Sequence, residues 1–182
     1  PDMLLQPQQT MQVLFHNQID VIQQELAPHM RRYAKLLKKQ LGVDELRFCD
    51  LKVSLDPDFN PTTTYDQAAS MIKDALQVMG PEYSHIIDKA FKNRWIDYAY
   101  NNGKRSGAFC NSPYGVHPYV LITWTDTMRG AFMLAHELGH AGHFYLAGKN
   151  QTLTNTRPSM YFIEAPSTLN ELLLADYLLD RT

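Results

Sequence analysis

Cysteine is scarce in this sequence. Cys49 and Cys110 are the only two in 182 residues, too few for a disulfide framework. One bridge is the most they allow, and reduced thiols in a cytosolic protein are the plainer reading. An excess of basic charge is lacking as well: 17 Lys+Arg against 19 Asp+Glu leave a formal net charge of −2. No basic field is available to a polyanion, so a nucleic-acid partner held through its phosphates is not expected. No apolar run approaches the roughly 20 residues of a membrane-spanning helix, and the mean hydropathy is −0.34. The start, PDMLLQPQQT, has no basic region followed by an apolar stretch, so no secretory signal is read there. It also lacks an initiator Met, as expected of a piece whose true start lies upstream. Internal repeats, low-complexity tracts and domain linkers are not found. What is present is 45% apolar residue, enough for the core of one domain or part of a larger one. A cytoplasmic protein without a membrane partner is expected.

Helical periodicity dominates the pattern. From Gln8 to Leu41 apolar residues recur near every 3.6 positions, with Pro28 expected to kink or divide the helix. Arg31, Arg32, Lys35, Lys38 and Lys39 crowd its end before Gly42, the composition of a solvated helix terminus. Leu46–Leu55 alternates imperfectly and reads as a strand or extended segment, followed by a loop with Pro57 and Pro61. Thr64 can cap a helix over Tyr65–Met79, and another is expected from Glu82 to about Asn93. Asn101-Asn102-Gly103 signals a turn, and the extended runs Ser106–Asn111 and Pro118–Trp124 can form a small antiparallel sheet. The aromatic group Trp95, Tyr98 and Tyr100 reads as core packing. A helix is expected from Asp126, as its cap, to about Ala147, then a polar loop over Gly148–Pro158. A last helix begins near Ala165, with Pro166 in its first turn. That pattern is still running at Arg181-Thr182, an ending expected of a cut piece.

Chemistry concentrates in His136-Glu137-Leu138-Gly139-His140. Residues four apart on a helix lie about 40° apart around the axis and about 6 Å along it. His136 and His140 therefore share a face and can both donate a ring nitrogen to one zinc. Glu137 is rotated about 100° from His136, where a carboxylate can take a proton from a water at the metal and pass it to a leaving amine. Glu164, 24 residues beyond His140, is the candidate third ligand, carried back across the first helix by the polar loop. Two imidazoles and one carboxylate leave a position for water. Glu171 lies about two helical turns further on the same face. It is either an acceptor that fixes the tautomer of a ligating histidine or a solvated helix carboxylate. His143, seven residues beyond His136 and about 10.5 Å along the axis, is too distant to join both histidines on one metal. A supporting or substrate-contacting role remains for it beside that of a locally bonded histidine. His16, His29, His85 and His117 have no partner at ligand spacing, and neither cysteine has a catalytic cue.

Taken together, HELGHAGH at 136–143, FIEAPS at 162–167 and Asn170-Glu171 resemble the oligoendopeptidase F group of the thimet-oligopeptidase-like zinc metallopeptidases. The resemblance extends through Leu41-Gly42-Val43, Asp50-Leu51, the run from Gly103 to Phe109, and His117-Pro118-Tyr119. It implies zinc, one ion per chain, on His136, His140 and Glu164, with Glu137 as general base. It implies a mainly α fold, a helical zinc-peptidase core with a small antiparallel β-sheet beside the active-site helix. Oligopeptides would be the substrates, with Gly107-Ala108-Phe109 pairing with the extended chain by strand addition. Members of that group are several times longer, and their C-terminal His and Tyr residues steady the tetrahedral intermediate. Tyr161 and Tyr177 do not match those positions. The expectation is therefore a single catalytic-core region over 1–182, a fragment whose other partner is the remainder of the enzyme. Missing oxyanion donors would cost about 10²–10³ in rate. The rival from another class is a non-catalytic peptide-binding or scaffold module with a structural or vestigial metal site.

Overall fold

The computed structural model describes residues 8–56, 58–59, 61–160 and 162–181. Pro57, Asn60, Tyr161, Thr182 and the segment 1–7 lie outside the described residues. The chain divides into two compact units, residues 1–60 and 61–182.

In the first unit, helix α1 (Gln8–Val21) passes through a π-helical turn, Ile22–Leu26, into α2 (Ala27–Leu41). The turn is how the chain absorbs Pro28, which has no N–H to offer and whose ring crowds the carbonyl four residues back. Ala27 N–H reaches Ile22 O instead, a step of five residues. Gly42 closes α2 with φ 65°, the left-handed conformation that glycine takes without a Cβ penalty. The stretch expected as a strand or extended segment contains instead a 3₁₀ turn, Phe48–Lys52. The Asp50 carboxylate accepts from Arg47 N–H at 2.7 Å, and Asp50 N–H donates to Arg47 O at 3.0 Å. That closed local pair competes directly with extension, and no strand faces the segment among the described residues.

The second unit carries the core. Helix α3 (Tyr65–Ala75) starts at a reciprocal cap: Gln67 N–H donates to Thr64 Oγ1 at 3.2 Å, and Thr64 N–H donates to Gln67 Oε1 at 2.9 Å. It tightens into a 3₁₀ turn at Leu76–Met79, breaks at Gly80, and resumes as α4 (Pro81–Lys92). Three short strands follow: β1 (Ile96–Asp97), β2 (Ala108–Asn111) and β3 (Tyr119–Ile122), in the order β1-β3-β2. The expected antiparallel pair is present, Ala108 opposite Ile122 and Cys110 opposite Val120. The sheet as a whole is mixed, however, because β1 pairs parallel to β3 with Ile96 opposite Val120. A two-residue strand has no periodicity to reveal it.

Val120 and Ile122 point into a core shared with Ile72, Leu76, Ile86, Ile87, Trp95 and Leu134. Trp95 alone of the expected aromatic group is core. Tyr98 stacks on Tyr65 at 3.7 Å while 41% exposed, and Tyr100 is 74% exposed. Helix α5 (Met128–Asn150) runs beneath the sheet, capped by Thr127, whose Oγ1 accepts from Gly130 N–H at 3.1 Å. The expected cap, Asp126, sits one residue early at φ 49° and accepts from Trp124 Nε1–H at 2.9 Å. The last helix, α6 (Ala165–Leu179), packs across α5. The fold is mainly α with a small three-stranded mixed sheet. No described helix is long and apolar enough to cross a membrane.

Candidate metal centre

Eight residues of α5 between Gly130 and Gly142 are buried small or aliphatic residues. Against that apolar helix its polar residues stand out, because a buried polar group is costly unless it is partnered. His136 and His140 lie on one face with ring centroids 5.0 Å apart. Across from them is Glu164, which immediately precedes α6. Its Oε2 is 3.2 Å from His136 Nε2 and 3.3 Å from His140 Nε2. All three ligand atoms lie within 4.8 Å of one another.

These distances fit a metal. Donor atoms placed tetrahedrally at about 2.0–2.1 Å from an ion stand about 3.3 Å from each other, the separation of both His–Glu pairs. The Glu164 side chain is 60% exposed, so the site opens to solvent on the carboxylate side. His136 Nδ1 meets Glu171 Oε1 at 2.6 Å, which leaves Nε2 as the nitrogen turned to the cluster. His140 Nδ1 is buried with no hydrogen-bond partner among the described residues.

What holds Glu164 in place is close backbone packing. A Cβ built on Gly139 would lie 2.5 Å from Ser167 Cα and 2.7 Å from Pro166 O. Only glycine lets the first turn of α6 rest on α5 at this point. Pro166 is accommodated in that turn because its missing N–H would have had no intrahelical partner.

Glu137 is 8% exposed. Burial pushes its carboxyl up from the ordinary value, His136 opposes this, and Glu164 adds to it. The group is therefore a better proton acceptor than a surface carboxylate. Burial lowers the pKa of His140, against the pull of Glu164, and lowers that of His143. Neutral imidazole is the form that ligates a metal.

His143 lies outside the three-residue cluster. Its ring meets Phe144 and Phe162 at 5.9 and 5.8 Å, and it lines a cavity of about 370 Å³ with Asn150, Asn155 and Thr156. Tyr177, by contrast, is engaged away from the cluster, its hydroxyl donating to Asp74 at 3.2 Å. Beside the centre, Thr123 N–H donates to Gly107 O at 3.2 Å. By the alternation of an antiparallel ladder, Phe109 and Asn111 also turn their backbone groups to β3. The N–H and C=O of Ala108 and Cys110 then face the free edge of β2, which pairs with β3 alone among the described residues. Burial pushes the Cys110 thiol up to about 12, with Glu137 contributing.

Sequence reasoning missed Tyr83 and gave no role to Asn170, a buried residue that bonds both Tyr83 and Ala135. The available signal was an amide inside an otherwise apolar helix, Thr168-Leu169-Asn170-Glu171-Leu172.

Known proteins resemble the chain over most of its length. The chain is 36% identical over 167 residues to oligopeptidase PepF of Bacillus subtilis, covering 92% of this chain and 25% of that protein. It is 36% identical over 152 residues to group B oligopeptidase PepB of Streptococcus agalactiae, covering 84% and 25%. A crystal structure from Chlamydophila abortus assigned as a peptidase superposes with a TM-score of 0.80 at 29% identity, covering 94% of this chain and 28% of that one. The chain spans about a quarter of the length of these curated relatives. The sequence profile of peptidase family M3 matches residues 3–182, and the chain belongs to that family.

Proposed function

We propose that the protein carrying this chain is a zinc-dependent endopeptidase acting on short unstructured oligopeptides, and that this chain supplies its catalytic core. The observation that carries the reading is the meeting of His136 Nε2, His140 Nε2 and Glu164 Oε2 beside the buried Glu137. One zinc ion per chain would be held by those three atoms. When bound, it would polarise the scissile carbonyl and lower the pKa of a water to about 7. Glu171 accepts from His136 Nδ1 and keeps Nε2 directed at the ion. Glu137 takes the proton of the attacking water and returns it to the leaving amine. An extended peptide lies along the free edge of β2, beside Gly107, Ala108 and Phe109, and main-chain pairing admits many sequences.

The names of the relatives, oligopeptidases, support the substrate class. The remainder of the enzyme is the other partner, and neither nucleic acid nor membrane enters the proposal. A cytoplasmic setting is supported by Cys49 and Cys110, both free thiols. The rival reading as a structural or vestigial metal module is disfavoured by the donor set, since structural zinc takes four protein ligands and needs no base.

The test is Glu137→Gln in the full-length protein. Zinc content is expected to stay at one per chain while hydrolysis of an internally quenched peptide falls by about 10²–10⁴. Unchanged turnover, or a parent protein that binds no zinc, would overturn the proposal.

A further inference from the structure

Three helices of the second unit meet at one buried amide. Asn170, 1% exposed on α6, donates from Nδ2 to Ala135 O at 3.0 Å, the carbonyl of the peptide that joins Ala135 to His136. Its Oδ1 accepts from the Tyr83 hydroxyl of α4 at 3.1 Å. Tyr83 is itself seated on α5: a Cβ built on Gly142 would meet its ring at 2.5 Å. One turn earlier on α6, Pro166 and Ser167 rest on the bare backbone of Gly139. Helices α5 and α6 are thus fixed at two points, Gly139 against Ser167 and Ala135 against Asn170. Those points lie four residues apart on one helix and three on the other.

The flanking positions are the chemically important ones. Glu164 is three residues before Ser167 and reaches both histidines, and Glu171 directly follows Asn170 and reaches His136. We propose that Asn170 is a positioning residue: its amide sets the register of α6 against α5 and thereby holds Glu164 and Glu171 on His140 and His136. This role rests on the metal reading above. A one-residue slip of either helix would move a side chain about 1.5 Å along the axis and about 100° around it, enough to remove either carboxylate from its histidine. An apolar residue of similar volume could fill the space but not select the register, since dispersion contacts carry little direction. Two directional bonds from a desolvated amide do select it.

The test is Asn170→Ser in the full-length protein, with zinc affinity measured by competition against a chromophoric chelator. The visible spectrum of the Co²⁺-loaded form is the second readout. Zinc affinity is expected to fall about tenfold, the lower end of what loss of supporting bonds costs a metal site. The Co²⁺ bands should change as the carboxylates loosen, which a purely structural role for the amide would not produce. Tyr83→Phe, which removes only the outer bond, is expected to weaken zinc about threefold and decides the matter if Asn170→Ser does not fold. Affinity within threefold of the parent for folded Asn170→Ser, superimposable Co²⁺ bands, or parental affinity for Tyr83→Phe would overturn the proposal. A parent protein without zinc affinity would instead remove the metal reading itself.

Discussion

Helices α2 and α5 both carry regularly spaced apolar residues, yet they bury them very differently. In α2 only Leu37 is buried, while Met30 and Leu36 are each 53% exposed. In α5 the sheet covers one side and α3, α4 and α6 cover others, so Ala131, Leu134, Ala135, Leu138 and Ala141 are all within 1% of full burial. Helical periodicity detects both and ranks neither. What separates them is the meaning of a polar residue. On α2 a lysine is a solvated side chain. On α5 the carboxylate of Glu137 is buried and the imidazoles are partly so, and a polar group withdrawn from water needs a partner or a task to persist.

The sharpest way to break this contrast is to truncate one leucine on each helix. Leu134→Ala should destabilise the protein by about 2–5 kcal/mol, the range for a buried leucine whose surroundings cannot collapse. Leu36→Ala should change stability by no more than about 0.5 kcal/mol, as surface substitutions do. Urea unfolding followed by circular dichroism measures both. Equal losses would mean that α2 is packed as tightly as α5.

Within α5 the contrast can be narrowed to two glycines. An alanine at Gly139 would drive its Cβ into the backbone of Ser167, where nothing flexible can yield. Gly139→Ala should therefore cost about 1–3 kcal/mol, as overpacking does, and should lower zinc affinity through displacement of Glu164. Gly148 lies in the same helix with nothing within 4 Å of its virtual Cβ. Gly148→Ala should stabilise by about 0.4–1 kcal/mol through the lost freedom of the unfolded chain. Opposite signs from one substitution in one helix would show that contact with α6, and not helix propensity, sets the residue at 139.

These glycines also mark where the sequence stopped being legible. His136, Glu137 and His140 were readable because a helix converts four-residue spacing into a shared face. Glu171 was readable only as one of two alternatives, and in the fold its Oε1 lies 2.6 Å from His136 Nδ1. Glu164 could be named as a candidate from its spacing and the polar loop before it, but its placement depends on a turn whose geometry no local pattern contains. Most helices were found to within a few residues, since periodicity and caps are local. Strand β1 and the turn at Phe48–Lys52 were missed for a common reason: one exists only through its long-range partner, and the other has no strand to pair with among the described residues. The Tyr83–Asn170–Ala135 contact spans 87 residues and has no local signature beyond an amide among leucines.

The smallest expected effect compares the two thiols. Cys49, in the first unit, is exposed, whereas burial pushes the Cys110 thiol from 9.0 to about 12. At pH 8 that leaves about one Cys110 in ten thousand as the reactive thiolate. Iodoacetamide should therefore modify Cys49 first in the folded protein, with Cys110 following only on unfolding, which peptide mapping by mass spectrometry would read. The linked stability has a definite sign. Below about pH 9 the thiol is protonated in both states, so its contribution is fully present. As pH rises from there through about 12, the unfolded chain releases the proton that the folded chain keeps, and stability falls. Cys110→Ala should flatten that alkaline loss without altering the neutral plateau by the same amount. Comparable alkylation rates for the two cysteines at pH 8 would mean that the space between β2 and α5 admits solvent, and Glu137 would then be hydrated as well.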